Sequence, residues 1–162
     1  MKKERNVIEP NAVVVFDGDV YSSTLNELFQ DFKGDIVING DLNLDKGGLS
    51  IQCDNLYVMG EIFISTMGSN DICLVGDLYV EQSIECKNIN VNGSIYCMDT
   101  MNTFEINVSE DFYANESVNA YRYDINVGGD FICDDEVNAA EITVYGKLKV
   151  LLGIHADFIW VV

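Results

Sequence analysis

The fold is decided by the nine residues 125–133, which read INVGGDFIC. Two apolar-x-apolar pairs, Ile125/Val127 and Phe131/Cys133, flank a Gly-Asp step. Each pair has the alternation of a strand with one buried side, and Gly-Asp is typical of a tight corner. Similar arrangements recur along the chain, with Glu110 in place of glycine in one copy, at anchor positions 18, 40, 60, 76, 93, 110, 129 and 146.

The repeats that begin at Gly76, Gly93, Gly129 and Gly146 each contain three apolar-x-apolar pairs, and the steps between pairs are six, five and six residues. In the repeat that begins at Gly129, the second pair is Val137/Ala139 and the third is Ile142/Val144. Three strands in a repeat of about 17–18 residues predict a single-stranded triangular parallel β-helix, an all-β solenoid of about eight coils. We interpret residues 1–162 as a single β-solenoid domain, with an N-terminal tail over residues 1–12.

Residues 22–33 break this pattern. Leu25, Leu28, Phe29 and Phe32 lie at helical spacing, and Ser22 or Ser23 is a candidate N-cap. The segment therefore predicts a short amphipathic helix that either replaces one strand of the first coil or folds over the N-terminal end of the rod.

Composition limits the classes of function. The 162 residues include 48% hydrophobic residues and carry a formal charge of −18, from 27 acidic and 9 basic side chains. Nucleic-acid binding through a basic face is excluded, because Lys and Arg provide phosphate affinity. No apolar run is long enough to span a membrane, and no apolar stretch follows the basic N-terminus as in a secretory signal. Five cysteines without a Cys-x-x-Cys pair favour free thiols in a reducing cytoplasm.

The residues give no sign of catalysis, of a cofactor or of a metal site. His155, the single histidine, lies between inward-facing Ile154 and Ala156 and should face solvent. Hexapeptide-repeat acyltransferases are the nearest enzymatic solenoids, but they require strict six-residue steps. We therefore expect a protein that is not an enzyme.

One column of the predicted rod is acidic, and it has two interpretations. Stacked carboxylates could form a ladder for Ca²⁺, or Asp after Gly could serve a tight corner through hydrogen bonds to the backbone. The second interpretation is favoured, because the calcium-binding nonapeptide repeat is missing. The column consists of Asp19, Asp41, Glu61, Asp77, Asp111 and Asp130.

A second column is aromatic. The outward residue between the first apolar pair of successive repeats reads Tyr21, Asn43, Phe63, Tyr79, Tyr96, Tyr113, Ile132 and Lys149. Stacked aromatics stabilise neighbouring strands, and an aromatic stripe on an acidic background is also typical of a protein-binding face. The next outward column should form a ladder of asparagine hydrogen bonds; it reads Tyr57, Cys73, Asn90, Asn107, Asn126, Thr143 and Trp160.

These patterns predict a partner-binding surface. The aromatic anchors are Phe63, Tyr79, Tyr96 and Tyr113, and the carboxylates that steer a basic partner are Asp77, Asp111, Asp130, Asp134, Asp135 and Glu136. The expected function is that of a non-catalytic acidic binding module, such as an immunity-type or nucleic-acid-mimic inhibitor of a basic protein.

The last coil suggests an alternative. It is apolar and is followed by no polar cap, so another chain should cover it. The candidate self-assembly residues are Ile154, Phe158, Ile159, Trp160 and Val161.

With its six-five-six steps, Gly-Asp corners and open end, the segment 34–162 resembles the bactofilins, bacterial cytoskeletal proteins with a triangular right-handed β-helix core. The resemblance implies a scaffold that polymerises end to end without nucleotide. Subunit contacts would then lie in the terminal coils, around Val13–Val20 and Ile154–Val162.

Overall fold

The computed structural model describes residues 12–45, 47–64, 71–121 and 123–162, and it confirms a parallel β-solenoid of about seven turns with one short helix. Every strand pair among these residues is parallel, and each strand between the two end coils pairs with its equivalents one coil before and one coil after. The predicted tail lies outside the described residues, apart from Ala12, which begins the first strand.

Three stacks of strands form the faces of the rod, which we call faces A, B and C. Face A contains β1 (Ala12–Phe16), β3 (Gly34–Ile38), the second halves of β5 (Leu49–Val58) and β7 (Ile72–Val80), β10 (Ile95–Cys97), β13 (Phe112–Ala114), β16 (Phe131–Cys133) and β19 (Leu148–Val150). Face B contains β2 (Val20–Tyr21), β4 (Leu42–Leu44), β6 (Ile62–Ile64), β8 (Ile84–Glu85), β11 (Met101–Thr103), β14 (Val118–Ala120), β17 (Glu136–Asn138) and β20 (Gly153–His155). Face C contains the first halves of β5 and β7, then β9 (Asn88–Asn92), β12 (Glu105–Val108), β15 (Asp124–Val127), β18 (Glu141–Val144) and β21 (Phe158–Val161).

Faces A and C form one 13-stranded sheet, because β5 and β7 continue round the corner between them. At this corner Gly76 has φ +133°, and a Cβ there would collide with the carbonyl of Cys53 one coil away. Only glycine combines this backbone conformation with so close an approach. Face B is a separate sheet of eight strands.

The inward side chains fill the rod with stacked apolar columns. Ile106 and Ile125 are adjacent in one such column and are fully buried. Phe112 and Phe131 stack in another, with ring centroids 4.7 Å apart and planes 1° from parallel. Burial of these columns stabilises each coil only through its neighbours, as expected of a solenoid.

The helix α1 (Ser22–Leu28) occupies the place of a face C strand in the first coil, which is one of the two predicted positions. The helix ends five residues earlier than the sequence pattern indicates, because the chain leaves it at Phe29 and pairs with β5. The N–H of Phe32 donates to the carbonyl of Gln52, and the N–H of Gln52 donates to the carbonyl of Phe29. Leu25 is fully buried, and Phe29 packs edge-on against Phe32 with ring centroids 5.1 Å apart.

The predicted serine cap is wrong. Ser22 and Ser23 lie inside the first turn of α1, and Asp45 of the following coil takes the capping role. Its carboxylate accepts the backbone N–H of Ser23 at 2.9 Å and the hydroxyls of Ser22 and Ser23 at 2.8 and 2.6 Å. A side chain from the next coil thus satisfies donors at the helix start, where N–H groups have no partner within the helix.

The register of the first three coils differs from the prediction. The strands before Gly40 and Gly60, rather than those after them, stack on the strand after Gly76. The early Gly-Asp corners lie between faces A and B, whereas the later ones lie between faces C and A. Both corners have the same local pattern of apolar pairs, so the pattern did not distinguish them.

Candidate functional site

Four tyrosines form a continuous stack along face A. Tyr57, Tyr79, Tyr96 and Tyr113 are in register on consecutive coils, with ring centroids 4.7, 4.5 and 5.1 Å apart and nearly parallel planes. All four are half-buried. Because each ring face is covered by the next ring, the stack presents mainly ring edges and hydroxyl groups to solvent.

Phe63 does not belong to this column, which is a correction to the predicted stripe. It lies on face B, in register with Asn43, and Tyr57 takes the expected place on face A. The cause is the change of corner between Gly60 and Gly76, which moves the residues after Gly60 one face further round the rod.

The acidic residues of the predicted site border face A on both sides. Asp77, Asp111 and Asp130 lie along the edge between faces C and A, and Asp134, Asp135 and Glu136 lie together at the edge between faces A and B. The structure therefore brings nine of the ten predicted partner-binding residues to one face and its borders, with Phe63 the exception.

The acidic column is split between two edges. Asp19, Asp41 and Glu61 follow one another on the A–B edge, whereas Asp77, Asp111 and Asp130 belong to the C–A edge. This is a further correction with the same cause as that for Phe63.

On both edges, aspartate side chains bind the backbone of the next coil. The Oδ1 atom of Asp111 accepts the N–H of Asp130 at 2.8 Å, and Oδ1 of Asp130 accepts the N–H of Lys147 at 2.8 Å. Asp41 accepts the N–H of Glu61 in the same way at 2.9 Å. These contacts favour the corner interpretation over a cation ladder. The described residues include no group of three or more His, Cys, Asp or Glu side chains placed to hold a metal ion.

Negative charge is concentrated along the edges of the rod, and the centres of the faces are largely uncharged. Of the central outward residues on the three faces within the described ranges, only Glu85 on face B carries a carboxylate. The third edge, between faces B and C, adds a row formed by Glu105, Asp124 and Glu141, the first residues of β12, β15 and β18.

Two asparagine ladders run along the rod. On face C, the amide Nδ2 of Asn107 donates to Asn90 at 2.9 Å, and that of Asn126 donates to Asn107 at 3.0 Å, as the sequence predicts. The predicted start of this column at Tyr57 is wrong, since Ser50 is the residue in register with Cys73. A second ladder of Asn102, Asn119 and Asn138 on face B was missed, with bonds of 3.0 and 2.9 Å. In the sequence this ladder is visible as an asparagine between the two members of the second apolar pair in successive repeats.

The C-terminal coil exposes its apolar side chains. Phe158, Ile159, Trp160 and Val161 of β21 are exposed, with 60%, 44%, 55% and 56% of their surfaces accessible, and Ile154 of β20 is only half-buried. His155 is exposed, as predicted. Ile142, which is in register with Ile159 one coil earlier, is fully buried, so this inward position becomes exposed in the last coil.

All five cysteines are free thiols, four of them buried. Burial raises the pKa of Cys53 to about 12 and that of Cys97 to about 11, so these thiols stay protonated at neutral pH. Cys73, on face C, is exposed. The buried cysteines therefore act as small apolar side chains of the core.

The fold and the edges place the chain in the class of parallel β-solenoids with acidic long edges. No helix in the described part of the chain has the length and apolarity needed to cross a membrane. No protein-family profile, no curated protein and no solved structure matches the sequence.

Proposed function

We propose that the chain is a non-catalytic protein-binding module whose acidic edges hold a basic partner. The observation that carries the proposal is the alignment of carboxylates in rows along the edges of the rod. Coil-to-coil register holds these residues in place, and a fixed array of like charges attracts an oppositely charged protein and speeds its association.

The proposed contact surface is face A with its two borders. Asp111 borders the tyrosine stack on the C–A edge, and Asp130, Asp134 and Asp135 border the next coil of face A, which carries Ile132. The phenol groups of the stack offer hydrogen bonds and a rigid surface to a partner, which are the contributions that tyrosine commonly makes at interfaces.

In its most specific form, the proposal is an immunity-type or nucleic-acid-mimic inhibitor. A protein that binds nucleic acid presents Lys and Arg side chains to a row of phosphates. A row of carboxylates repeated at the strand spacing of about 4.8 Å is a negative surface that such a protein would accept in place of phosphates.

Affinity capture at low salt, followed by calorimetry with the purified partner, tests the proposal. We expect a retained protein with an excess of Lys and Arg and an affinity that falls steeply as salt is added. The triple variant Asp134→Asn/Asp135→Asn/Glu136→Gln should weaken binding by about tenfold or more. The control triple variant, Glu27→Gln/Glu85→Gln/Asp157→Asn, removes the same charge away from face A and should weaken binding by less than about threefold. Retention of no basic protein, or equal losses in both variants, would refute the proposal.

A second candidate is end-to-end self-assembly of the bactofilin type, which the exposed apolar residues of the C-terminal coil favour. Stacking of another copy on β19, β20 and β21 would pair their free backbone groups and cover Ile159 and Trp160. Light scattering across salt concentration tests this candidate, because screening of like charges should increase the molar mass. Trp160→Asp should abolish that growth, and Tyr145→Asp, which adds the same charge to an exposed aromatic outside the last coil, should leave it unchanged. A single molar mass at every salt concentration would exclude self-assembly without affecting the partner-binding proposal.

A further inference from the structure

Face C carries an open groove of about 690 Å³ along the rod axis. Gln30 and Tyr145 lie at its two ends, and Gly128, which has no side chain, lies exposed in its lining. Two parallel columns of uncharged side chains, one on each side, form most of its floor. The residues that matter here are Asn90, Asn107 and Asn126 in one column, and Asn92, Ser109 and Gly128 in the other.

Acidic rows border this uncharged floor on both sides. Glu105, Asp124 and Glu141 stand beside the first column, and the side chain of Glu105 accepts a hydrogen bond from Asn107 at 2.9 Å. Asp111 and Asp130 lie on the C–A edge beyond the second column. A ligand in the groove would therefore have amides beneath it and negative charge along both flanks.

The asparagine ladder keeps hydrogen-bonding capacity for a ligand. The side-chain amide of Asn107 donates both of its hydrogens, one to Asn90 and one to Glu105. The side-chain amide of Asn126 donates one of its two hydrogens to Asn107. In the ladder Asn90 only accepts, through its Oδ1 atom. The floor thus retains N–H groups on Asn90 and Asn126, and each ladder carbonyl has a second lone pair. Both donors and acceptors are needed to satisfy a peptide backbone.

We propose that this groove binds an extended Lys- or Arg-containing segment of the basic partner, an inference that rests on the proposed partner-binding function. From Ser50 to Asn126 the first column spans five coils, or about 19 Å at the strand spacing, which matches about six residues of extended peptide. Side chains of an extended peptide alternate between its two sides. With the backbone over the amide floor, basic side chains at every second position lie on one side and reach one acidic row, either that of Glu105 or that of Asp111.

The other faces do not offer the same combination. On face A, stacked tyrosines fill the centre between the acidic edges. On face B, the exposed carboxylate of Glu85 interrupts the uncharged central column. The asparagine ladder of face B runs from Asn102 to Asn138. The two equivalent ladders therefore allow a matched comparison, because only the one on face C lies in the proposed groove.

Fluorescence anisotropy with a labelled (Lys-Ser)4 octapeptide tests the proposal on the full chain, with (Glu-Ser)4 as the reference peptide. Asn107→Arg places a cation in the middle of the groove, and Asn119→Arg makes the same substitution in the middle of the face B ladder. We expect the basic peptide alone to bind, Asn107→Arg to weaken its binding by about tenfold or more, and Asn119→Arg to weaken it by less than about threefold. Ser109→Arg, at an exposed groove position outside the ladder, serves as a second groove variant if Asn107→Arg does not fold by circular dichroism.

The outcomes separate this inference from the broader proposal. If (Lys-Ser)4 binds but the groove variants and Asn119→Arg have equal effects, the groove is not the site, and the acidic module can still bind its partner elsewhere. If the groove variants alone weaken peptide binding, the groove is the site. If (Lys-Ser)4 does not bind at low salt, the groove proposal is refuted, whereas the partner-binding proposal is decided by the affinity capture described above.

Discussion

The tyrosine stack on face A makes a prediction about position within a column. Tyr79 lies between two rings, with centroids at 4.7 Å from Tyr57 and 4.5 Å from Tyr96, whereas Tyr57 contacts only the ring of Tyr79 within the stack. A stacked aromatic pair contributes about 1 kcal/mol beyond the area it buries. Tyr79→Ala therefore loses about 2 kcal/mol of stacking and Tyr57→Ala about 1 kcal/mol. Both side chains are half-buried, so the loss of buried area is similar in the two variants.

Chemical unfolding at neutral pH, followed by far-UV circular dichroism, measures this difference. We expect the free energy of unfolding to fall by about 1 kcal/mol more for Tyr79→Ala than for Tyr57→Ala. The double variant should show a coupling energy of about 1 kcal/mol, because the two single variants remove one shared ring pair. Equal losses within about 0.5 kcal/mol, together with no coupling, would show that the rings do not stabilise one another.

Three further predictions concern single groups whose titration or accessibility the fold determines. Iodoacetamide should modify Cys73 of the native protein and spare Cys97, because Cys73 is exposed and burial raises the pKa of Cys97 to about 11; mass spectrometry showing equal rates would contradict this. Burial of Asp45 opposes its ionisation, but hydrogen bonds from Ser23 and Ser22 outweigh this effect and lower the pKa of Asp45 below the ordinary value of 3.8. The carboxylate therefore stabilises the fold above a pH equal to its ordinary pKa, and this stabilisation is lost as pH falls through the lower native pKa. Thermal melts from pH 5 to pH 2 should show less acid destabilisation in Asp45→Asn than in the native protein, and parallel curves would refute the assignment. Burial, and then the charge of Asp77, raise the pKa of Tyr79 from 10.0 to about 12. The free energy of unfolding should therefore decline between pH 10 and pH 12. A decline of the same size in Tyr79→Phe would show that other groups cause it.

The apolar-x-apolar pairs predict the later coils residue by residue. From Leu78 onward, the inward columns, the stacked tyrosines on face A and the Asn90–Asn126 ladder follow from a regular spacing that admits one register. A one-residue slip would move every apolar side chain of a strand to the outside. Burial thus determines both which side chains point inward and which outward residues share a column.

The first three coils could not be placed by the same reasoning. Their Gly-Asp corners have the same apolar flanks as the later corners, although Gly60 and Gly76 lie at different corners of the triangle. The difference becomes visible only when α1 is recognised as the face C segment of the first coil, because that assignment decides which strand follows it. Likewise, the capping role of Asp45 depends on a contact between coils, and no local pattern around Ser22 reveals it.

The row of hydrogen bonds on the C–A edge gives the rod a direction. Each acceptor belongs to the earlier coil and each donor to the later one, from Asp111 to Asp130 and from Asp130 to Lys147. At Lys147 the series meets a side chain that can donate hydrogen bonds but cannot accept them. A further strand added beyond this coil would find an ammonium group where every aspartate before it offered an oxygen. At this corner the contact between an aspartate side chain and the backbone of the next coil therefore cannot be repeated by Lys147.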